Sequence, residues 1–345
     1  MNHSIILPPE WYSQSAIQLT WPHYNSDWGY MLEEVTACYI NIATEILKRQ
    51  KLIIVCYDIE IVKYELQAVK DWFDNLVLVE LPTNDTWARD HSGISVIKNG
   101  EKHVYDFTFN GWGLKFASSY DNQITRGLFD NKVFKSDVEL DNKKMFVLEG
   151  GALESDGKGT LLTTSECLLS LNRNSYLSKE GIEDYLEEIF GLDRVLWLDY
   201  GYLAGDDTDS HIDTLARFCD EHTIAYVKCD DKEDEHYEAL ARMEQQLKTF
   251  VDHRGNSYNL IPLPMATAAY DEDNERLPAT YANFLIMNKA ILIPFYNDKE
   301  KDEEARTQLQ KAFPDREIVG VDCRSLIKQH GSLHCVTMQY PEGFI

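Results

Sequence analysis

Short apolar runs bounded by polar or turn residues recur along the whole chain. Runs of roughly four to eight residues that are rich in Val, Ile and Leu are typical of buried β-strands. They predict strands at 52–57, 76–81, 104–109, 145–148, 160–164, 195–198, 224–227, 260–263, 290–295 and 318–321.

Helical periodicity occupies several of the stretches between these runs. In residues 30–50, apolar side chains recur at spacings of three and four, which places them on one stripe of a helix: Leu32, Val35, Tyr39, Ile42 and Ile46. Similar patterns predict helices at 60–71, 179–190, 235–250 and 302–312. The alternation of strands and helices indicates an α/β architecture. The excess of strands over helices is not what a plain doubly wound sheet predicts.

Charge narrows the classes of partner. Acidic residues outnumber basic ones by 58 to 33, which gives a formal net charge of −25. A nucleic-acid partner needs clustered Lys and Arg, so this balance argues against one. The acidic surplus favours a small cationic substrate by raising its local concentration. An acidic surface that only keeps the protein soluble is the alternative interpretation.

The first residues show neither a basic stretch nor an apolar run of signal-peptide length, and no segment approaches the roughly 20 apolar residues that span a bilayer. The seven cysteines are scattered without a CxxC pair, which excludes a disulfide framework and a zinc site. We therefore expect a cytoplasmic protein without membrane contact. Glycine-rich phosphate loops such as GxGxxG are absent from the sequence.

Two segments place acidic residues at the ends of predicted strands. The first, 84–90, reads NDTWARD and contains Trp87 and Asp90. The second, 147–151, reads VLEGG, so that Glu149 is followed by two glycines. Loops at strand ends commonly carry site residues, and glycines allow close backbone approach. A surface turn with a local ion pair and a strand ending in a tight turn are the alternative interpretations.

A third segment, 205–218, combines a histidine with alternating acids. Asp207, Asp209, His211 and Asp213 recur at every second position. On an extended chain these four side chains would share one face, and a histidine flanked by acids can act as a general base or a metal ligand. The spacing does not match an EF-hand loop, and no further His or Cys lies nearby for zinc. An acidic solvated loop is the alternative.

The fourth segment, 330–339, reads HGSLHCVTMQ and contains Cys335. Its glycine and serine would open space in front of the cysteine, although a free cysteine is often only a small buried hydrophobe. Taken together, the four segments supply one Cys, one His and three carboxylates, without a metal-ligand set or a cofactor loop. Buried carboxylates are costly unless a cation pairs with them, and a planar guanidinium is the natural match.

These segments resemble the agmatine deiminase and bacterial peptidylarginine deiminase family of the guanidine-modifying superfamily. The matching stretches follow the order of the family across nearly the whole chain: PPEWYSQ (8–14), WP (21–22), NDTWARD (84–90), FNGWG (109–113), LEGGALESDGKGTLLTTSECLL (148–169), NRN (172–174), DDTDSHIDTLARF (206–218), ATYANF (279–284) and HGSLHCVTMQ (330–339). The resemblance implies a single domain, 1–345, folded as a five-bladed pseudo-symmetric α/β propeller of ββαβ-type modules. The active site would lie at its centre, with no metal and no organic cofactor.

The resemblance also implies roles for individual residues. Cys335 matches the nucleophile of the family and His211 its acid/base, while Asp90 and Asp213 match the carboxylates that hold the guanidinium. Glu149 matches a further acidic group of the site.

Two positions match residues that line the site, namely Trp87, which packs on the substrate, and Asn283. The chain departs from many members at Ser210, where they have Gly, and at 330–332, where they have a run of glycines. Both departures lie beside the site and bear on substrate preference more than on chemistry.

The implied reaction is hydrolysis of agmatine to N-carbamoylputrescine and ammonia through an S-alkylthiouronium on Cys335. Deimination of free arginine or of peptidylarginine is the alternative, because the chemical motifs are shared. Two alternatives from other classes of function also remain. One is a cysteine peptidase or amidase, and the other is a non-catalytic polyamine-binding module. The expected partner is a small cationic guanidinium compound, with no nucleic acid and no membrane, and a homodimer is left open.

Overall fold

The computed structural model of the protein describes residues 4–345. Its strands are Ile5–Ile6 (β1), Gln14–Thr20 (β2), Lys51–Cys56 (β3), Leu76–Glu80 (β4), Ile94–Lys98 (β5), Glu101–Thr108 (β6), Val138–Val147 (β7), Glu154–Ser155 (β8), Thr160–Thr164 (β9), Arg194–Leu198 (β10), Ala216–Asp220 (β11), Thr223–Lys228 (β12), Asn259–Pro264 (β13), Ala269–Tyr270 (β14), Arg276–Leu277 (β15), Leu285–Met287 (β16), Ala290–Phe295 (β17), Glu317–Asp322 (β18) and Thr337–Pro341 (β19).

The α-helices are Leu32–Leu47 (α1), Ile59–Glu65 (α2), Ala88–His91 (α3), Gly111–Leu114 (α4), Ile124–Asp130 (α5), Ser165–Leu168 (α6), Lys179–Phe190 (α7), Tyr237–Leu247 (α8), Lys299–Ala312 (α9) and Arg324–Ile327 (α10). Short 3-10 helices occupy Gly29–Met31, Leu66–Asn75, Asp121–Gln123, Gly150–Ala152 and Ile212–Thr214. None of the helices within residues 4–345 is long and apolar enough to cross a membrane.

Five small sheets repeat one pattern of strand pairing. Their strand orders are β19-β2-β3-β4, β1-β5-β6-β7, β8-β9-β10, β11-β12-β13 and β16-β17-β18. In each sheet an antiparallel pair is followed by a parallel strand, as in β11-β12 and β12-β13. Parallel neighbours need a crossover connection, and α1, α5, α7, α8 and α9 supply it in the five sheets. The mixed α/β architecture predicted from the sequence is therefore confirmed.

The first sheet joins the two ends of the described chain. Strand β19 runs antiparallel to β2, with Thr337 opposite Leu19. Because the pairing is antiparallel, the segment just before β19, which carries Cys335, lies beside the end of β2 at Thr20.

The helices begin and end where local chemistry favours it. The side chain of Asp58 accepts hydrogen bonds from the backbone N–H groups of Glu60 and Ile61 and so caps α2. Asp298 does the same at the start of α9. The stripe predicted in 30–50 is the buried face of α1, where Val35, Tyr39 and Ile42 are fully buried.

All ten predicted strands are present, with ends shifted by a few residues at most positions. For β7, only the last part was predicted. The helix predicted at 60–71 is α-helical only to Glu65 and continues as a 3-10 helix, in which Val69 departs from helical geometry. Nine strands were not predicted: β1, β2, β5, β8, β11, β14, β15, β16 and β19. Among them, β2 (QSAIQLT) and β11 (ARFCD) carry polar or charged residues that are buried within the molecule.

Candidate active site

Cys335 lies directly before β19, and its side chain is only 5% exposed. The thiol lies 3.4 Å from Oδ1 of Asn283 and 3.9 Å from Oδ2 of Asp213. The same amide oxygen of Asn283 accepts a hydrogen bond of 2.8 Å from the backbone N–H of His334. Asn283, predicted to line the site, thus fixes the backbone that carries the cysteine.

Asp90, His211 and Asp213 surround Gly151. Nδ1 of His211 lies 3.6 Å from Oδ1 of Asp90, and this oxygen accepts a hydrogen bond of 2.9 Å from the backbone N–H of Gly151. A Cβ atom on Gly151 would come within 2.5 Å of Nδ1 of His211, 2.8 Å of Oδ1 of Asp90 and 3.3 Å of Oδ1 of Asp213. Only a glycine leaves these three groups room to face one another. The structure therefore brings together all four residues predicted to be catalytic.

The two carboxylates are held differently. Oδ2 of Asp90 accepts a hydrogen bond of 2.9 Å from the indole of Trp112, so both of its oxygens have partners. Oδ2 of Asp213 is 2.7 Å from Nδ1 of His334. Its Oδ1 is buried and has no hydrogen-bond partner within residues 4–345, which leaves one oxygen of Asp213 available to a ligand.

A cleft leads from the surface to Cys335. It is lined by Asp27, Asp85, Trp87, Asp90, Trp112, Phe116, Asp207, Thr208, Gln329, His330, Gly331 and Cys335. Trp87, predicted to pack on the substrate, is one of its walls, and its indole N–H donates to Asp85 over 3.0 Å. A Cβ atom on Gly331 would lie 2.2 Å from the ring of Trp87. The glycine before Cys335 thus makes room for the tryptophan wall.

Glu149 lies behind the histidine and does not line the cleft. Both of its carboxylate oxygens accept from Nε of Arg173 at 3.0 Å, and the side chains of both residues are fully buried. Donor atoms of Glu149, Cys167 and His211 lie within 4.8 Å of one another, a spacing that a metal ion could occupy. Because the carboxylate of Glu149 is already committed to Arg173, the arrangement fits a charged support for His211 better than a metal site.

The alternation of acids in the third segment does not correspond to an extended strand, and the expectation of one shared face is wrong. Asp209 and Ser210 have positive φ values of 64° and 61°, and a 3-10 helix follows at Ile212–Thr214. The carboxylate of Asp209 turns away to Lys115 and Arg173, 2.7 and 2.5 Å distant. Of the four residues, His211 and Asp213 lie against Gly151, whereas Asp207 lines the cleft.

Burial and charge set the protonation of the site. Burial, and then Asp213 and Asp90, raise the pKa of the Cys335 thiol well above its usual value. Burial alone would lower the pKa of His211, but Asp90, Cys167 and Glu149 raise it to about 10. In the free protein at neutral pH these shifts favour a neutral thiol beside a protonated imidazole.

The two carboxylates also differ in acidity. Burial raises the pKa of Asp90. Burial would do the same to Asp213, but its hydrogen bond to His334 and the positive charges nearby lower its pKa. Asp213 is therefore the more firmly ionised of the pair.

Sequence reasoning missed several residues that complete the site. Trp112 belongs to the FNGWG stretch and His334 precedes the nucleophile, so both lay within recognised motifs without an assigned role. Glu10 lies within PPEWYSQ and Arg217 within DDTDSHIDTLARF, so both also belong to recognised motifs, but nothing local indicated that they lie against His334. Their partners are distant in the sequence, and only the folded chain reveals them.

Three comparisons place this architecture among known proteins. The model of the Porphyromonas-type peptidyl-arginine deiminase family matches residues 6–341. An agmatine deiminase of Ectopseudomonas mendocina is 34% identical over 358 aligned positions, which cover 97% of this chain and 95% of the relative.

Two solved structures superpose closely. A Porphyromonas gingivalis protein, named a candidate arginine deiminase, is 56% identical with a TM-score of 0.95 and 99% of both chains covered. A cysteine-to-serine variant of the C. jejuni agmatine deiminase with substrate bound is 42% identical with a TM-score of 0.91, covering 99% of this chain and 98% of that one.

Proposed function

We infer the reaction of this protein from its family: the chain belongs to the Porphyromonas-type peptidyl-arginine deiminases. The protein is an enzyme that hydrolyses a guanidinium group and releases ammonia. As its substrate we propose agmatine, converted to N-carbamoylputrescine. The observation that carries the proposal is the convergence of His211, Asp90 and Asp213 around Gly151, with the thiol of Cys335 3.9 Å from Asp213 and exposed to a cleft that Asp90 and Cys335 line.

The two carboxylates suit a guanidinium cation. Asp90 and Asp213 would hold its nitrogens and align the central carbon with the sulfur of Cys335, about 3–3.5 Å away in a near-attack geometry. A bound cation offsets the negative field that keeps the thiol protonated. We therefore propose that substrate binding itself promotes formation of the thiolate.

His211 then supplies and removes protons. Attack of the thiolate on the guanidinium carbon gives a tetrahedral adduct. The protonated His211 donates its proton to the departing nitrogen, and ammonia leaves. The remaining S-alkylthiouronium is a covalent intermediate. Neutral His211 deprotonates a water that attacks the same carbon, and cleavage of the C–S bond frees the ureido product and the thiol.

The lining of the cleft favours agmatine over arginine. An arginine α-carboxylate needs a cationic partner, and within residues 4–345 the cleft is lined by no lysine or arginine. The arginines of the motifs are engaged or buried elsewhere: Arg173 with Glu149, Arg217 with Glu154, and Arg89 in the interior. Asp27, Asp85 and Asp207 instead line the cleft, which suits the second positive charge of agmatine.

The five repeated sheets support a further proposal about architecture. We propose that they are the five ββαβ-type modules of a pseudo-symmetric propeller formed by a single domain, with the site at its axis. Each module supplies an antiparallel pair and a helix-linked parallel strand. A cytoplasmic location, a small cationic substrate and the lack of nucleic-acid or membrane partners remain part of this proposal, and a homodimer stays open.

Ammonia release tests the enzymatic proposal. We expect agmatine to be deiminated with kcat/KM at least about tenfold above that for L-arginine and for a blocked arginine peptide at one salt concentration. Cys335→Ser should abolish turnover, whereas Cys56→Ser, at a buried cysteine outside the cleft, should retain it.

Other outcomes would identify the rivals. A tenfold preference for arginine would overturn the choice of agmatine and leave the deiminase chemistry standing. Cleavage of amide substrates without ammonia release from a guanidinium would favour a peptidase or amidase. Binding of agmatine by the wild type and Cys335→Ser, with ammonia from neither, would favour a polyamine-binding module.

A further inference from the structure

His334 precedes the nucleophile but does not line the cleft. Its side chain is 1% exposed, and each ring nitrogen faces a carboxylate. Nδ1 lies 2.7 Å from Oδ2 of Asp213, and Nε2 lies 2.7 Å from Oε2 of Glu10. The histidine therefore bridges a carboxylate of the active site and one that lies more than 300 positions away in the sequence.

The hydrogen bonds determine which ring nitrogen of His334 serves Asp213. An ionised carboxylate only accepts hydrogen bonds, so Nδ1, which faces Oδ2 of Asp213, has to donate. Nε2 faces Oε2 of Glu10 at 2.7 Å and Nη2 of Arg217 at 3.0 Å. Nη2 of Arg217 also lies 2.6 Å from Oε2 of Glu10. The geometry therefore assigns a proton to Nδ1.

Charged groups surround this bridge. Three buried carboxyl groups lie against two arginines in this network: Glu10, Glu154 and Asp213 against Arg89 and Arg217. Asp213 also faces Cys335, His211 and Asp90 on the side of the cleft. Asp213 is therefore shared between the buried network and the active site.

We propose that His334 is a positioning residue that holds Asp213 in place for the guanidinium. Its Nδ1–H binds Oδ2 of Asp213 and thereby directs Oδ1, which has no other partner in residues 4–345, toward the ligand. Glu10 fixes the other side of the ring. This role rests on the proposed deiminase function, because it presumes a guanidinium between Asp90 and Asp213.

The proposal predicts that Asp90 and Asp213 take up protons at different pH values. Because burial raises the pKa of Asp90 and His334 lowers that of Asp213, acidification protonates Asp90 first in the wild type. Removing the donor to Asp213 raises its pKa toward that of Asp90. Both carboxylates then take up protons in the same range, so the acidic limb of kcat/KM should move to higher pH and become steeper.

Two substitutions separate the two sides of the ring. The amide nitrogen of Asn lies near the position of Nδ1 in histidine and that of Gln near Nε2. His334→Asn therefore keeps a donor for Asp213, and His334→Gln keeps one only for Glu10. We expect His334→Gln to raise KM for agmatine about tenfold or more, to steepen the acidic limb of kcat/KM and to move its midpoint up by about 0.4 pH unit. His334→Asn should show a clearly smaller shift.

A matched control is His236→Gln. His236 is buried, pairs with Asp234 at 2.7 Å and does not line the cleft. The variant His236→Gln should lower the melting temperature without moving the acidic limb of kcat/KM. If His334→Gln and His334→Asn shift neither KM nor the limb, or act equally and only in proportion to lost stability, His334 is a structural residue and the proposal is wrong.

Nitrogen-15 NMR of the wild-type protein tests protonation without needing turnover or a foldable variant. We expect Nδ1 of His334 to carry a proton, and an unprotonated Nδ1 would overturn the proposed donation to Asp213. If the protein proves not to be a deiminase, agmatine turnover fails while this spectrum stays as expected. If only the positioning role is wrong, turnover persists and the spectrum or the pH limb disagrees.

Discussion

Gly151 shows how a single residue determines the chemistry of the site. Its bare α-carbon permits Nδ1 of His211 and Oδ1 of Asp90 to lie 3.6 Å apart, with the backbone N–H of Gly151 donating to the same oxygen. A side chain here would not reach solvent but would enter the space between the reacting groups.

We expect Gly151→Ala to lower kcat by about 100-fold or more, because small misplacements of reacting groups cost that much. The matched control is Gly181→Ala within α7, where the nearest atom to an added Cβ would be 3.5 Å away. That variant should retain activity and gain about 0.5–1 kcal/mol of stability from helix propensity. Steady-state kinetics measure kcat of the two variants, and urea unfolding measures their stability. Full activity of Gly151→Ala would show that the site tolerates a displaced His211.

The protonation state of the Cys335 thiol in the free enzyme is also decided at the scale of a single residue. Burial and the carboxylates of Asp213 and Asp90 raise its pKa, so the thiolate is scarce at neutral pH. Only the thiolate reacts with alkylating reagents.

The rate of Cys335 alkylation by neutral iodoacetamide should therefore rise about tenfold per pH unit and reach no plateau below about pH 9. Mass spectrometry of the modified peptide would follow it, with Cys335→Ser as the blank. A plateau near pH 6–7 would mean instead that a thiolate–imidazolium pair with His211 exists before substrate binds.

At the scale of elements, β11 illustrates why some strands escape prediction. Arg217 lies fully buried within this strand. It donates to Glu154 and Glu10 and to the backbone carbonyls of Ala282 and Phe284. The strand is thus held to three other parts of the chain through a charged side chain that would ordinarily indicate an exposed position.

Arg217→Met should lower the free energy of unfolding by about 3–5 kcal/mol, because it leaves buried carboxylates without their cation. Arg306→Met is the control. Arg306 pairs with Glu303 on the exposed side of α9, where loss of the pair should change stability by less than about 0.5 kcal/mol. Chemical denaturation compares the two, and equal stabilities would show that the buried network contributes little to the fold.

For the whole molecule, net charge and the location of the cleft act together. The charge is −25, and acidic residues line the cleft that leads to Cys335. Such a field attracts cations from solution, and salt screens it over about 10 Å at 0.1 M.

Raising KCl from about 20 mM to about 500 mM should therefore lower kcat/KM for agmatine several-fold, mainly through KM. L-Arginine, with one net positive charge, should respond less, and a salt of equal ionic strength with other ions should give the same result. An unchanged kcat/KM for agmatine would assign its recognition to short-range contacts alone.

What the sequence determined by itself was local in origin. The apolar runs predicted ten strands because burial leaves a continuous pattern in a short window. The α/β architecture followed from their alternation with helical stripes. The motifs, together with the family resemblance, identified Cys335, His211, Asp90 and Asp213 because a guanidinium reaction needs those groups.

What only the tertiary structure decided depends on partners that are far apart in the chain. No window of sequence relates Glu10 to His334, or Arg217 to Glu154, yet the first pair holds the ring that contacts Asp213 and the second holds β11 in place. The turn at Asp209 and Ser210 likewise separates acids that an extended chain would have aligned. A buried charge needs a counter-charge within a few ångströms, and which residue supplies it is settled only when the fold brings distant segments together.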